Sequence, residues 1–271
     1  MFGLCCPVCG ELLKKSDKAY KCKNNHSFDI ARQGYVNLLQ SGKSKNKRRG
    51  DDKLMIEARR DFLNNGYYEP LLKEICSFAE KYTPENPCII DCGCGDCYYT
   101  SKVFDTLKHK NPKIIAVDIS KDALIWASKR SRDLTYAAAS AFSLPVDDCS
   151  CDLLMNVFSP LAQKEYVRVL KRDGCMLRVT PLENHLFELK EVIYSKPYKN
   201  PPDNLNIEGL RLVESKNLRY KSEIKSNEDI KNLFKMTPYY YKTSHDDQCK
   251  LESVDSLKVS LEFCISAYKP L

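Results

Sequence analysis

Four residues near the start of the chain have the types and the spacing of a metal site. Cys6 and Cys9 are separated by two residues, and Cys22 and His26 follow as a second pair with three residues between them. Cysteine thiolates and histidine imidazoles are ligands that suit tetrahedral Zn²⁺. The alternative is a set of ordinary free cysteines, but two such pairs at this separation seldom coincide. The spacing predicts a structural zinc site, because four protein ligands leave no open position for chemistry.

A second segment has the composition of a cofactor-binding turn. The apolar run 88–90 leads into the sequence DCGCGDC at 91–97, and a predicted helix follows. Glycines allow the backbone to approach a ligand closely, and the first amides of a helix have no partner within it. Cys97 stands where the dinucleotide-binding fingerprint has a third glycine. The segment instead resembles the cofactor loop of class I methyltransferases, which bind S-adenosylmethionine (SAM).

An acidic residue at the end of the next predicted strand strengthens this resemblance. Asp118 follows the apolar run 114–117 and lies 22 residues after Asp96. In class I methyltransferases a carboxylate at this strand end binds both ribose hydroxyls of the cofactor, and the resemblance implies that role for Asp118. A glycine turn alone would be a weak indication. The predicted cofactor contacts from the turn are Asp91, Gly93, Gly95, Asp96 and Cys97.

The elements that position these residues alternate between strands and helices. The predicted strands lie at 88–91, 113–118, 135–139, 152–157 and 175–180, and the predicted helices at 98–108, 121–130, 161–170 and 184–194. This alternation predicts an α/β fold with a Rossmann-like doubly wound sheet, covered by helices on both faces. Strict alternation at 257–267 predicts a late antiparallel strand with one polar face.

Composition divides the chain into three parts. Residues 1–36 form the predicted zinc-binding domain, residues 37–84 hold a basic loop and connecting helices, and residues 85–271 form the predicted methyltransferase domain. The basic loop carries Lys45, Lys47, Arg48 and Arg49 with hardly an apolar neighbour. An isolated charge run is usually a solvated segment. A run that follows a zinc knuckle is also a candidate for phosphate contacts with RNA, and both interpretations remain open.

Longer matches resemble one family more specifically. The sequences CPVCG at 6–10, HSFDIARQGYVNLL at 26–39, EARRDFLNNGYYEPL at 57–71 and DCGCGDCYYT at 91–100 resemble the 23S rRNA guanine-N1 methyltransferases of the RlmA type. The resemblance implies an amino-terminal zinc domain, a Rossmann-like methyltransferase domain and a homodimer whose cleft holds an rRNA hairpin.

The same resemblance implies roles for individual residues. It implies cofactor contacts from Tyr68, from the loop 95–97 and from His185. Cys97 departs from the usual glycine of the family, so a side chain stands near the methionine portion of the cofactor. The implied zinc ligands are Cys6, Cys9, Cys22 and His26.

The loop after the fourth predicted strand, at 156–160, is placed near the methyl group and its acceptor. Guanine N1 carries a proton that must leave, and methyl transfer needs in-line attack, so positioning is expected to do most of the work. Asn156 and Phe158 are the candidate catalytic residues, and the general base is unassigned. Phe158 either stacks on an unpaired target base or packs as a core phenylalanine. The run 239–241 offers a second stacking platform.

The whole-chain composition limits the function only broadly. The formal charge of +7 is a weak indication of a polyanionic partner. No apolar run approaches the ~20 residues that cross a bilayer, and the first residues lack the apolar core of a secretory signal, so the cytoplasm is the expected compartment. Two rival functions are a small-molecule methyltransferase with a structural zinc knuckle and a non-catalytic RNA-binding protein. The complete turn at 91–96 and Asp118 argue against the second.

Overall fold

A computed structural model describes residues 2–40 and 50–271. The predicted RNA contacts Lys45, Lys47, Arg48 and Arg49 therefore lie outside the described residues. The strands are β1 (Lys14–Lys15), β2 (Ala19–Lys21), β3 (Ser27–Asp29), β4 (Tyr35–Asn37), β5 (Cys88–Cys92), β6 (Lys113–Asp118), β7 (Thr135–Ala138), β8 (Cys151–Val157), β9 (Leu170–Pro181), β10 (Leu210–Ile224) and β11 (Leu257–Pro270). The α-helices are α1 (Lys53–Asn64), α2 (Glu69–Tyr82), α3 (Tyr98–Leu107), α4 (Lys121–Arg130), α5 (Gln163–Val169), α6 (Phe187–Ile193), α7 (Asn227–Lys235) and α8 (His245–Cys249).

The larger sheet has the strand order β10-β11-β9-β8-β5-β6-β7-β4. From β9 to β4 the neighbouring strands are parallel, whereas β11 is antiparallel to both of its neighbours. The chain order reverses at β5, which lies between β6 and β8, and doubly wound sheets bind ligands at the carboxyl end of such a switch point. The predicted α/β fold with a Rossmann-like doubly wound sheet is confirmed.

The central strands are buried on both faces, which explains their continuous apolar sequences. Ile89 and Ile90 are neighbours on β5 and face opposite sides of the sheet, yet neither is exposed to solvent. The predicted helical stripe 71–79 is the buried face of α2. Pro70 lies in the first turn of this helix, where amide groups have no partner within the helix and a missing amide hydrogen costs little. Among the described residues, no helix has the length and apolarity needed to cross a membrane.

A small three-stranded sheet, β1-β2-β3, packs on one face of the larger sheet. We call this sheet and its flanking turns, residues 2–30, the ribbon. Leu4 of the ribbon lies in one buried cluster with Val36 and Ile115 of the larger sheet. The Cys5 amide also donates to the Pro145 carbonyl at 2.7 Å. The ribbon therefore shares an apolar core with the sheet on which it lies.

β4 forms the edge of the larger sheet and was not predicted from the sequence. Tyr35 pairs with Tyr136 of β7 in parallel register, and the amide of Leu38 continues the pairing by donating to the carbonyl of Ala138 at 2.9 Å. Three residues are too few to show a strand period. The predicted domain boundary after residue 36 falls within this strand.

The predicted late antiparallel strand is confirmed as β11, but much of the side predicted to be polar is buried. Ser260 and Ser266, on the polar side of the alternation, are buried along with the apolar residues of β11. β11 lies inside the sheet between β9 and β10, and polar neighbours accompany the hydroxyls of these two serines. The Ser260 hydroxyl donates to Glu188 at 2.5 Å, and the Ser266 hydroxyl lies 3.4 Å from that of Ser215. An internal strand accommodates small polar residues without exposing them when their hydrogen bonds are made.

Candidate active site and zinc centre

The four predicted zinc ligands converge at one end of the ribbon. Their ligand atoms all lie within 4.8 Å of one another: Cys6 Sγ, Cys9 Sγ, Cys22 Sγ and one ring nitrogen of His26. The two sulfurs of Cys9 and Cys22 are 3.7 Å apart, and His26 Nδ1 lies 3.5 Å from Cys6 Sγ and 3.4 Å from Cys22 Sγ. A tetrahedral zinc ion requires about 3.8 Å between sulfurs and about 3.6 Å between sulfur and nitrogen. The donor set and its spacing fit Zn²⁺.

The glycine turn after β5 is packed against the loop that follows β8. Gly93 has φ of +82°, and a Cβ added there would lie 2.5 Å from the Cβ of Ser159. The Ser159 hydroxyl donates to the carbonyl of Cys92 at 2.5 Å. Gly95 is also left-handed, with φ of +56°, but a Cβ there would meet nothing closer than 4.0 Å. Gly93 is therefore needed for the close approach of two loops, and Gly95 leaves the turn open.

Asp118 ends β6 and connects it to the glycine turn. One carboxylate oxygen accepts the amide of Gly95 and the other accepts the amide of Ser120, each at 2.8 Å. Each oxygen has a second lone pair, so the carboxylate can accept two more hydrogen bonds, as a ribose diol would require. Burial raises the pKa of Asp118, and the two amides oppose that rise. The position fits the predicted ribose contact.

The other two acids of the turn are engaged within the protein. Asp91 accepts a short hydrogen bond from the Thr100 hydroxyl in α3, and its burial raises its pKa to about 7. Asp96 is buried and ion-paired with Arg130 at the end of α4. These contacts fix the start of α3 against β5 and α4. That Asp91 and Asp96 contact the cofactor stays a prediction. Such a contact would have to use atoms that are not engaged in the hydrogen bond to Thr100 or the ion pair with Arg130.

Cys97 lies in the left-handed backbone region, with φ of +61°, immediately before α3. This backbone conformation favours glycine. The preference accounts for the glycine that the RlmA-type family usually has at the position of Cys97. The Cys97 side chain is fully buried, and its amide donates to the carbonyl of Cys94 at 2.9 Å. The structure thus places the Cys97 side chain in the core, and the predicted contact with the cofactor stays a prediction.

Tyr68 and His185 are brought together although they are 117 residues apart in the chain. His185 Nδ1 accepts the amide of Glu262 at 3.2 Å, and Nε2 lies 3.3 Å from the Tyr68 hydroxyl. Burial lowers the pKa of His185 to about 3, so the ring is neutral near pH 7 and carries its one proton on Nε2. The imidazole therefore donates to the Tyr68 oxygen, and the Tyr68 proton is left to donate to another group.

Of the two catalytic candidates, Asn156 holds the loop and Phe158 reaches its surface. The amide nitrogen of Asn156 lies 2.5 Å from the Ser159 hydroxyl and 3.0 Å from the hydroxyl of Tyr166. Phe158 is 45% exposed and has φ of +53°. The interpretation of Phe158 as a core residue is therefore wrong. A bulky side chain in this backbone region is rare and points to a functional position.

Aromatic side chains surround Phe158. Its ring centroid is 5.7 Å from that of Phe263 on β11 and 6.4 Å from that of Tyr99 in the first turn of α3. The Tyr99 hydroxyl is inaccessible to solvent and has no hydrogen-bond partner among the described residues. An unpaired buried hydroxyl costs free energy unless a ligand completes it. The site thus combines flat apolar rings with an available polar group.

Sequence reasoning missed the residues that fix the site from a distance in the chain. Ser159 tethers the glycine turn, Arg130 binds Asp96, and Thr100 binds Asp91. Thr100 is nine residues after its partner Asp91, but one lies on β5 and the other on α3, so no sequence period links them. Ser159 and Arg130 lie far along the chain from the turn, and only the folded sheet places them beside it.

Two family models match this sequence. A zinc-ribbon model described as RlmA, N-terminal, matches residues 4–47, and a model described as a methyltransferase domain matches residues 89–174. A putative 23S rRNA (guanine-N(1)-)-methyltransferase from Micromonospora griseorubida is 36% identical over 203 residues, which cover 68% of this chain and 67% of that protein. The chain belongs to this methyltransferase family. The predicted family, the class of SAM-dependent methyltransferase and the two predicted cofactors, SAM and Zn²⁺, are confirmed.

Other relatives within the family are covered to different extents. The 23S rRNA (guanine(748)-N(1))-methyltransferase of Streptomyces fradiae is 33% identical over 69% of this chain, which spans 66% of that protein. A putative member from Bacillus subtilis is 28% identical over 95% of this chain and 93% of its own length. Among solved structures, a putative methyltransferase from Bacillus halodurans has a TM-score of 0.50 at 14% identity and covers 74% of this chain and 99% of its own. That likeness concerns the fold alone.

The zinc centre predicts different results for substitutions at two cysteines of the ribbon. Cys22→Ala removes one of the four ligands, so we expect loss of stoichiometric zinc and a lower melting temperature. Cys5→Ala is the matched control, because the Cys5 thiol donates to Asp147 at 3.2 Å and is not among the four ligands. Zinc content by elemental mass spectrometry checks both. Full zinc occupancy in the Cys22 variant would refute the ligand set.

The two glycines of the turn predict unequal costs. Gly93→Ala adds a left-handed alanine and a clash with Ser159, together about 2–5 kcal/mol, and should weaken the binding of S-adenosylhomocysteine more than tenfold. Gly95→Ala adds only the backbone term, about 1–2 kcal/mol. Thermal unfolding and calorimetric titration of both variants measure these effects. Equal destabilisation by the two substitutions would contradict the packing described for Gly93.

Proposed function

We propose that the chain transfers the methyl group of SAM to N1 of a guanine in a hairpin loop of 23S rRNA. The observation that carries this proposal is the exposed, left-handed Phe158 at the carboxyl edge of the sheet. Relatives named 23S rRNA guanine-N1 methyltransferases support the choice of substrate. Unpaired bases in RNA loops are commonly bound by stacking on aromatic side chains.

The aromatic surroundings of Phe158 suit a flat base with polar edges. Phe158 offers a face to stack on, and the stacking of one base contributes about 1–3 kcal/mol. Tyr99 adds a hydroxyl that lacks a partner in the described part of the chain. The loop that carries Phe158 is bound to the cofactor turn through Ser159. A base stacked on Phe158 would lie close to the methyl donor.

In the proposed reaction, N1 of the guanine would give its proton to solvent and form a bond to the methyl carbon. The electron pair of the broken carbon–sulfur bond would stay on sulfur, and S-adenosylhomocysteine would leave. SAM supplies an electrophilic methyl group on a positively charged sulfur. The role of this chain is to hold the acceptor in line, because positioning alone lowers such barriers substantially. Asn156 serves by fixing the loop 156–160, since its amide nitrogen already binds oxygens of that loop and of Tyr166.

The predicted RNA contacts Lys45, Lys47, Arg48 and Arg49 belong to this proposal. The described residues on both sides of their segment support it. Leu38 pairs with the carboxyl end of β7, and Gly50 lies against Ser120, next to Asp118. The described residues that flank the basic segment thus lie near the edge of the sheet that carries the cofactor turn. The lysines and arginines of the segment would neutralise RNA phosphates.

The proposal also includes a homodimer and a cytoplasmic site of action. The homodimer is implied by the resemblance to the family, in which two copies form the cleft for the hairpin. The relatives named for 23S rRNA support the cytoplasmic site. The candidate site described above consists of residues of one chain only.

The reaction can be tested on the proposed substrate directly. A methyl group on guanine N1 blocks the Watson–Crick edge, so it stops reverse transcriptase at one position. We expect the purified protein with SAM to create a single stop in unmodified 23S rRNA and 1-methylguanosine in its nucleoside digest. Unmodified rRNA after incubation with protein that binds S-adenosylhomocysteine would rule the proposed substrate out.

The stacking role of Phe158 predicts a loss that is limited to the RNA step. Phe158→Leu should lower the rate of rRNA methylation about 10–100-fold while S-adenosylhomocysteine binding is unchanged, and Phe158→Trp should retain most of the rate. Phe104→Leu on α3 is the control, because Phe104 is only partly buried and packs with Lys108 away from the turn. Methylation by the Phe158→Leu protein at the wild-type rate would exclude stacking.

A further inference from the structure

Arg59 on α1 is held beside the cofactor turn from two directions. Its Nη1 donates to the carboxylate of Asp51 at 2.5 Å, and its Nη2 lies 3.4 Å from the carbonyl of Met236, just after α7. The side chain is 31% exposed, so the guanidinium is partly buried. Because the guanidinium is already held in place, it loses little further conformational entropy when it binds a ligand.

The guanidinium faces the glycine turn. Nη1 lies 4.0 Å from the position that a Cβ on Gly95 would occupy. Burial raises the pKa of Asp118 and of Tyr99, and in both cases the positive charge of Arg59 opposes the rise. The same holds for Tyr68. Arg59 is thus within electrostatic reach of the turn, of the ribose acid and of the aromatic wall.

A second arginine near the turn, Arg130, is already engaged in an ion pair. Arg130 directs Nε and Nη2 to the carboxylate of Asp96. Arg59 has five N–H donors, and its two described hydrogen bonds leave others for an additional acceptor. A carboxylate at the turn would therefore find the planar guanidinium of Arg59, whose N–H groups have a geometry that suits a carboxylate.

We propose that Arg59 binds the α-carboxylate of SAM and so positions the sulfonium at the glycine turn. This inference rests on the methyl donor of the proposed function. The amino-acid end of SAM carries the carboxylate, and the open side of Gly95 gives that end room to approach Arg59. Asp51 holds the guanidinium in place and is a positioning residue. Arg59 contacts the cofactor and acts before any bond is broken.

A carboxylate-specific comparison tests the inference without measuring activity. Calorimetric titration is carried out with S-adenosylhomocysteine and with its decarboxylated analogue, which keeps the adenosine, the sulfur and the ammonium group. We expect Arg59→Met to weaken S-adenosylhomocysteine binding about 10–100-fold and to leave the affinity for the analogue within about twofold. Arg59→Lys should fall between, because it keeps the charge and loses the planar fork.

Arg60→Met is the matched control on the same helix. The Arg60 guanidinium lies over the ring of Trp126, 4.0 Å from its centroid, and pairs with Asp61. It should change neither affinity. Equal weakening of both ligands in Arg59→Met would show that Arg59 only supports the fold, and no weakening of either would also overturn the inference. Failure of the wild-type protein to bind S-adenosylhomocysteine would instead refute the proposed function and its methyl donor.

Discussion

The hydrogen bond from the Gly95 amide to Asp118 is the interaction on which the site depends. It joins the turn after one parallel strand to the end of its neighbour, at the edge where the strand order reverses. The carboxylate keeps a free lone pair on each oxygen, and the turn keeps its open side at Gly95. The same bond therefore fixes the shape of the crevice. It also leaves the carboxylate oxygens and the open side of the turn available to a nucleoside that carries an amino-acid group.

Two further contacts transmit this constraint outward. Ser159 ties the turn to the loop that carries Phe158, so the site of the acceptor is held relative to the site of the donor. On the other side, Gly50 and Asp51 lie against the residues after β6, with the Ser120 hydroxyl donating to the Asp51 carbonyl at 3.1 Å. The ribbon adds its apolar side chains to one face of the same sheet, so folding of the zinc centre and of the methyltransferase core are coupled.

Local patterns were enough to predict the parts of the site that lie close together in the chain. The continuous apolar runs of β5 and β6, the turn at 91–97 and the acid at a strand end required only neighbouring residues. The zinc ligands followed from spacing. Contacts between distant segments were out of reach: the pair of Asp96 with Arg130, the edge strand β4, and the burial of Ser260 on an internal strand all depend on the assembled sheet. Arg59 lay in a recognised sequence match, but only the folded chain shows that it faces Gly95.

A crystal structure with S-adenosylhomocysteine bound would test the account most directly. The ribose hydroxyls are predicted to lie within hydrogen-bond distance of the Asp118 carboxylate, with the thioether sulfur beside Gly93–Gly95 and open toward Phe158. A ligand bound elsewhere, or a crevice in which Asp118 makes no contact with the ribose, would contradict the assignment of the glycine turn as the donor site.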